Sequence, residues 1–549
     1  MAQTQTTEAA SSSRAALRRL AWPRFLLLGI GALIGGGLVG LAIAAVSGEQ
    51  VQPDIGQLSE AVSQLPPTIT TAAVRDTTLA WGLPAVPTHD LDLDLDPMAG
   101  GLATADLDRD GDLDLVVAHG PVAIYLWETD RYTGPVSVGV DDAMGVSAAD
   151  VDNDGWQDLL IARSADTDTV LWGGPWLETD DRPERLQLEG TSPSAGLLAG
   201  QLNGDTAIDL VRLGRGTSNG APDVVWLANP DQPRTFIAEP LGADDRLSLA
   251  GELVDADLDG LLDIWVTRDV GWDTGPDSLY SRQGDPTGPW VDIAPELGAN
   301  LAIDGMGITI ADLDGDATLD AYVSDLGDNE VLLRRERQFV KATDTGAARI
   351  RPLDAPQSVV SSSWASGATD LNLDGRLDLI VANGGFPDGG MRNKIPDTNV
   401  AVEDTPAILL GIGGGQFVDI WADLGLDWTT PTRGLTIGDL DNDGDDDYIF
   451  LADDGTIRAI RNDATDPSLT IRPGQGCDPA GAVITSTQAS GTYQTLLAHH
   501  TYAGRHSNAA IVGTNNDDTT TIKVRWANGT TTNLRVPAQP GRHQLTAKC

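Results

Sequence analysis

Hydrophobic and polar positions divide this 549-residue chain into three regimes. Phe25 to Val46, FLLLGIGALIGGGLVGLAIAAV, is an uncharged run of 22 residues, long enough to cross a hydrocarbon core of about 30 Å as a helix. Between about residues 85 and 465 the apolar positions come in bursts: LVV from Leu115, LLI from Leu159, IWV from Ile264, AYV from Ala321, LIV from Leu379 and YIF from Tyr448. Runs this short, rich in β-branched and aromatic residues, predict buried strands. After residue 465 apolar and polar residues alternate, as in TTTIKVRWANGTTTNLRV with its Asn528-Gly529 turn signal, which predicts a small antiparallel β domain over 466–549. Residues 47–84 are rich in Pro, Ser and Thr, lack periodicity and read as a linker. DLDLDLD from Asp90 alternates strictly and predicts an outer strand that closes a ring of sheets on the blade containing Asp439, with Leu91 and Leu93 turned inward.

Each apolar burst is preceded by one acidic pattern, D-x-D-x-D-G-x-x-D, and each pattern by a segment of small residues such as GGLATA, MGVSAA or RGLTIG. The pattern starts at Asp106, Asp150, Asp255, Asp312, Asp370 and Asp439, with a decayed copy at Gln201, so successive starts lie 44, 51, 54, 57, 58 and 69 residues apart. That period suits a four-stranded propeller blade, and small residues suit its innermost strand. Carboxylates this close repel unless a cation screens them. Oxygens at loop positions 1, 3 and 5, with a glycine turning the chain at 6, form a calcium-type donor set, and an aspartate at 9 would close the shell. The bidentate Glu that a helical calcium loop needs at position 12 is replaced here by Val117, Ile161, Val266, Val323, Val381 and Phe450, so the loop joins strands.

These repeats resemble the FG-GAP or VCBS repeats of integrin-α-type β-propellers, and seven copies imply a seven-bladed ring over 85–465. The resemblance implies about six Ca²⁺ sites. Their ligands would be Asp106, Asp108, Asp110 and Asp114; Asp150, Asp152, Asp154 and Asp158; Asp255, Asp257, Asp259 and Asp263; Asp312, Asp314, Asp316 and Asp320; Asp370, Asn372, Asp374 and Asp378; and Asp439, Asp441, Asp443 and Asp447. The copy at Gln201 has Asn203 and Thr206 where a carboxylate and the glycine belong, and is expected to bind a dication less well. Ala317 replaces the glycine of the fifth copy, with Gly315 beside it. Gly481-Ala482-Val483 and VRWANG from Val524 resemble the ASPIC/UnbV domain, which follows such repeats in cartilage acidic protein and bacterial exported proteins. The fold expected is all-β: a seven-bladed propeller, a small antiparallel β domain and one N-terminal transmembrane helix.

Charge and cysteines place the chain. Arg14, Arg18, Arg19 and Arg24 precede the apolar run and no Lys or Arg follows until Arg75, so residues 1–24 are read as a cytoplasmic tail, 25–46 as a signal anchor and the remainder as periplasmic or extracellular. A cleaved signal peptide is the competing reading; the length of the run favours an anchor. The two cysteines, Cys477 and Cys549, lie in the exported part and are expected to form a disulfide. A formal net charge of −46 excludes nucleic acid as a partner.

No nucleophile, zinc or phosphate-loop motif is present. His499, His500 and His506 are a candidate transition-metal cluster, set against exposed loop histidines. Trp127, Trp172, Trp176, Trp226, Trp265 and Trp272 are candidate sugar platforms, set against packing between blades. The reading that results is a membrane-anchored calcium-binding module for a protein or glycan ligand, not an enzyme. The alternative is a polysaccharide lyase or dehydratase using Arg392 and Lys394 of the insertion GGFPDGGMRNKIPDTN.

Overall fold

In every repeat the residue at loop position 9 begins a strand: Asp114–Ala118, Asp158–Arg163, Asp209–Gly214, Asp263–Arg268, Asp320–Ser324, Asp378–Asn383 and Asp447–Ala452. The apolar bursts are therefore second strands, buried as their composition requires. The structure, a computed structural model, describes residues 74–84, 98–179, 181–188, 193–215, 222–242, 246–348, 359–385, 399–400, 404–426, 428–488, 491–514, 519–536 and 541–549. The anchor reading of 25–46, the DLDLDLD segment and Arg392 with Lys394 lie outside them. No helix among the described residues is long and apolar enough to cross a membrane.

Each second strand pairs antiparallel with the small-residue strand before it, and two further strands complete a four-stranded antiparallel unit. Among the described residues there are seven such units. Their first strands, Gly101–Ala105, Ala143–Ala149, Ser194–Gly200, Ser248–Val254, Gly307–Ala311, Ser363–Thr369 and Thr432–Gly438, each touch the next, and the seventh touches the first. This closed ring is the architecture of a β-propeller. The blades are numbered 1 to 7 below in chain order.

Closure comes from an unexpected segment. The fourth strand of blade 7 is Val74–Asp76, paired antiparallel with Ile457–Asn462, so part of the segment read as linker belongs to the ring. Its own pattern is uninformative because it is three residues long and takes its register from the partner edge. Beyond it, Trp81 packs edge-on against Trp127 at 5.3 Å, and its carbonyl accepts the Tyr132 amide of blade 1. Residues 74–83 thus tie the last blade to the first.

The C-terminal residues form two more sheets. Ser468–Pro473 lies between Ala510–Gly513 and Arg542–Ala547, while Val483–Gln488 lies between Gly491–Leu496 and Thr520–Arg525, with Thr531–Val536 outside. The second of these continues the blade 5 sheet through the pairing of Ala311 with Thr495. A disulfide joins Cys477 to Cys549, the mark of an oxidising, extracytoplasmic compartment.

Between these strands a hairpin, His500–Thr501 and Gly504–Arg505, enters the ring. It touches the first strands of blades 1, 2, 4, 5, 6 and 7, which only an element on the axis can do. Room for it comes from glycine: a Cβ on Gly101 or Gly145 would meet the Ala503 carbonyl at 2.7 or 2.8 Å. The tip residue Tyr502 is fully buried, with its ring 5.1 Å from Trp364 and its hydroxyl donating to the Met98 carbonyl. The small residues of the inner strands therefore serve two purposes, convergence of the blades and admission of a plug.

Candidate metal centres

The loop between first and second strand is built the same way in each well-formed repeat. Position 4 takes a left-handed conformation (Arg109, Asn153, Leu258, Gly315, Leu373 and Asn442, φ from 57° to 80°), and so does position 6. Glycine relieves the strain at position 6 in five loops; Ala317 accepts it at φ 65° in the sixth. This double reversal curls positions 1, 3 and 5 toward one point. Carboxylate oxygens converge within 4.8 Å in five loops: Asp106, Asp108 and Asp110; Asp150, Asp152 and Asp158; Asp255, Asp257 and Asp259; Asp312, Asp314 and Asp316; Asp439, Asp441 and Asp443. The copy at Gln201 forms no such group among the described residues, nor does the blade 6 loop, where Asn372 replaces one carboxylate.

The position 1 carboxylates carry the most telling feature. Asp150 Oδ2 accepts the Gly155 amide at 2.9 Å, Asp370 Oδ2 the Gly375 amide at 3.0 Å and Asp439 Oδ1 the Gly444 amide at 3.1 Å. The other oxygen of each, and one oxygen each of Asp106 and Asp255, is buried without a hydrogen-bond partner. A buried carboxylate oxygen left unpaired costs roughly 1–3 kcal/mol or more, and five at one structural position call for a common partner. The donor set is all oxygen, and a hard divalent cation fits it.

Burial, with neighbouring carboxylates adding, raises the acids of these loops. Asp150, Asp312 and Asp441 are pushed up to about 6, and Asp370 to about 8. At position 9, burial takes Asp158 and Asp320 to about 7 and Asp114 and Asp263 to about 8, and raises Asp378 and Asp447 well above the ordinary carboxylate range. A cation in the loop removes the need for those protons.

Position 9 has another duty. In all seven repeats its Oδ2 accepts the backbone amide of loop position 2, at 2.8 to 3.1 Å. In six, Oδ1 accepts an amide at the end of the third strand or just beyond it, at 2.6 to 3.0 Å. The residue therefore staples loop, second strand and third strand together. This explains why Asp209 persists in the decayed copy, where Leu202 and Ala228 supply the two amides. Asp209→Ala is expected to cost about 2–4 kcal/mol by stranding both amides, equally with and without calcium, whereas Asp205→Ala costs under about 1 kcal/mol. Chemical denaturation of both variants, with and without chelator, checks this.

The C-terminal unit sits on several of these loops. Arg525 Nη1 meets Asp255 Oδ2 at 2.9 Å, the Gln494 amide donates to Asp312 Oδ2 at 3.2 Å, and the Gly513 amide to Asp370 Oδ2 at 3.1 Å. Arg542 reaches Asp443 and Asp445 at 2.9 and 2.8 Å. In the decayed copy the Gln201 amide donates to Asp478.

The histidines behave differently from either expectation. All three are buried in the plug, where His500 Nδ1 lies 2.9 Å from Glu252 Oε1, His506 Nε2 3.1 Å from the Ser366 carbonyl and His499 Nε2 3.2 Å from Thr495 Oγ1. They do not converge as a ligand set. Of the tryptophans singled out, Trp127, Trp172, Trp226 and Trp265 are core residues, Trp176 is half-buried and Trp272 is 57% exposed.

With loops, strands and ring in view, comparison with known proteins adds one assignment. Residues 106–161 match the FG-GAP-like repeat. The matched span contains the first two acidic loops. A search of curated proteins returns no match. Among solved structures the chain is similar to BBS1N in its complex with ARL6DN (15% identity, 69% of this chain and 97% of that one, TM-score 0.39). It is also similar to YCF48 from Cyanidioschyzon merolae (10%, 70% and 98%, TM-score 0.40) and to an Agrocybe aegerita lectin described as recognising non-reducing terminal N-acetylglucosamine (18%, 69% and 94%, TM-score 0.35).

Proposed function

We propose that the chain is an exported, membrane-anchored binding module: a seven-bladed FG-GAP/VCBS-like propeller, held rigid by calcium in its acidic loops, with an ASPIC/UnbV-like C-terminal unit. The unpaired buried oxygens at position 1 carry the calcium part of this reading, and the plugged axis directs ligand recognition to the outer surfaces. On those surfaces Trp272 is the one exposed tryptophan among the described residues. Its indole is fixed, because Nε1 donates to Asp304 Oδ1 at 2.9 Å, and Val270 accepts a left-handed φ of 57° to start the turn that presents it. A rigid aromatic face beside carboxylate acceptors suits the C–H face and hydroxyls of a neutral sugar. Polyanionic glycans are disfavoured by the net charge of −46.

The role proposed is recognition without catalysis. Glycan-array binding by wild type and Trp272→Ala, paired with an absorbance assay for unsaturated sugar products, tests it. Binding of neutral glycans that weakens at least about tenfold in the variant, with no product formed, is expected. Product formation, or glycan binding indifferent to Trp272, overturns it.

A further inference from the structure

The acidic loops are not equivalent, and arginine is what distinguishes them. In blade 2, Arg234 spans positions 3 and 5, its Nε 2.6 Å from Asp152 Oδ2 and its Nη2 3.4 Å from Asp154 Oδ2. In blade 5, Arg335 does the same to Asp314 and Asp316 at 2.5 and 3.2 Å. In blade 7, Arg461 spans Asp441 and Asp443 at 2.7 and 2.9 Å. In blade 1 no ion pair reaches the corresponding pair, Asp108 with Asp110, among the described residues; in blade 4 the guanidinium comes to position 1 instead, where Arg525 Nη1 lies 2.9 Å from Asp255 Oδ2. Arg109 sits inside the blade 1 loop but lays its guanidinium over the Trp156 ring at 5.0 Å, and Asp257 takes a neutral donor, Ser281 Oγ, at 3.0 Å.

The three guanidinium groups arrive from three different places. Measured from the residue whose amide meets the position 9 carboxylate, Arg335 is one residue after it, Arg461 one residue before it, and Arg234 comes from the third-to-fourth-strand turn of the neighbouring blade. Arg234 is also held in place from outside the loop, by Glu184 at 2.9 Å and by stacking over Trp172 at 4.7 Å. Blade 1 has Glu128 and Leu126 where blades 5 and 7 have their arginines. Simple duplication of one blade would have delivered the charge from one position. Delivery from three positions to the same carboxylate pair points to the pair as the target.

We propose that Arg234, Arg335 and Arg461 are built-in counter-cations that grade the calcium loops, leaving blade 1 as the tight site and making blades 2, 5 and 7 weak sites that tolerate loss of metal, with blade 4, whose Arg525 reaches position 1 alone, between them. The inference rests on the calcium reading above. The guanidinium cancels part of the repulsion between carboxylates when no dication is bound, and repels the dication when one arrives. Both effects follow from one charge placed a few ångströms from the ion. The arginines thus let a stretch of the ring keep its shape as calcium falls, while blade 1 responds to it.

Calcium titration of the chelator-stripped full-length protein by calorimetry, together with melting curves of the stripped form, tests this. Wild type is expected to show one tight site and a weaker set. Arg234→Gln should tighten one weak site by about tenfold and lower the melting temperature of the stripped protein, and Asp150→Asn added to it should abolish the tightened site. Arg234→Lys, which keeps the charge and loses the fork, should bind calcium as wild type does. If Arg234 instead orients Asp152 for the metal, Arg234→Gln and Arg234→Lys both weaken binding, and the proposal is wrong. Binding unchanged in Arg234→Gln also overturns it while leaving the calcium reading intact; no calcium uptake by wild type at millimolar concentration overturns both.

Discussion

Stripped of calcium, the protein is expected to melt roughly 5 °C lower at neutral pH and to become more stable as the solution is mildly acidified. Several sites at about ten times their dissociation constants each contribute about 1.4 kcal/mol, and each kcal/mol moves the midpoint of a body this size by about 1 °C. The pH dependence follows from the raised carboxyls. Asp114, Asp158, Asp263 and Asp320 hold protons to about 7 or 8 in the folded state, because burial penalises their charge, against about 4 in the unfolded chain. A group whose folded value is raised gives its full stability below the unfolded value, and that stability is lost as pH rises through the folded one. The metal-free protein should therefore weaken steadily between about pH 4 and pH 8. Calcium neutralises the same carboxylates and flattens that slope.

A second slope of opposite sign should survive calcium. Burial lowers His499 and His506 to about 4 and holds His500 well below the usual imidazole range, so the stability tied to their neutral forms is present above about pH 6.5 and is lost as pH falls toward 4. Melting temperature against pH, with calcium and with chelator, separates the two. A chelated curve parallel to the loaded one across pH 5 to 8 would show that the loops do not hold the metal.

Much of this architecture was written locally. The strand bursts, the small-residue first strands and the acidic loops are repeated within each blade, and a repeat exposes its own rules. What could not be read depends on pairing between distant segments. Val74–Asp76 has no alternation of its own, and the edge it closes lies nearly four hundred residues away. DLDLDLD was the better strand by pattern, yet pattern says nothing about which edge is free. The duty of position 9 was hidden for a different reason, since an aspartate that staples amides and one that binds metal look alike. Its one visible trace was Asp209, retained in a copy that had lost its other donors. The plug left a trace too: Glu252 is an acid in the first strand AGEL, at the register position where the other blades have Ala103, Ser147, Leu198, Thr309, Gly367 and Thr436.

That acid is the point at which the plug can be released. Glu252 is buried, and it accepts the His500 amide through Oε2 and faces His500 Nδ1 through Oε1, both at 2.9 Å. Arg505, equally buried, donates to the Ala148 carbonyl on the far side of the hairpin. Removing the carboxylate strands the buried His500 amide and takes one of two acids, Glu252 and Asp478, from the field of the buried Arg505. Glu252→Ala is expected to cost about 1–3 kcal/mol, the range for leaving a buried donor without its acceptor. The loss should be directional. Cys477 and Cys549 both lie within the C-terminal unit, so their disulfide does not fasten that unit to the ring. Hydrogen exchange at residues 499–506 should rise by orders of magnitude while the second strands of blades 2 and 3 stay protected, and proteases should cut between the last blade and Ser468. Glu252→Gln, which keeps an acceptor for the amide, should lose much less. If Glu252→Ala leaves exchange at 499–506 slow and the melting temperature within a degree of wild type, the hairpin is held by packing around Tyr502 alone, and the polar contacts on the axis add nothing to its anchoring.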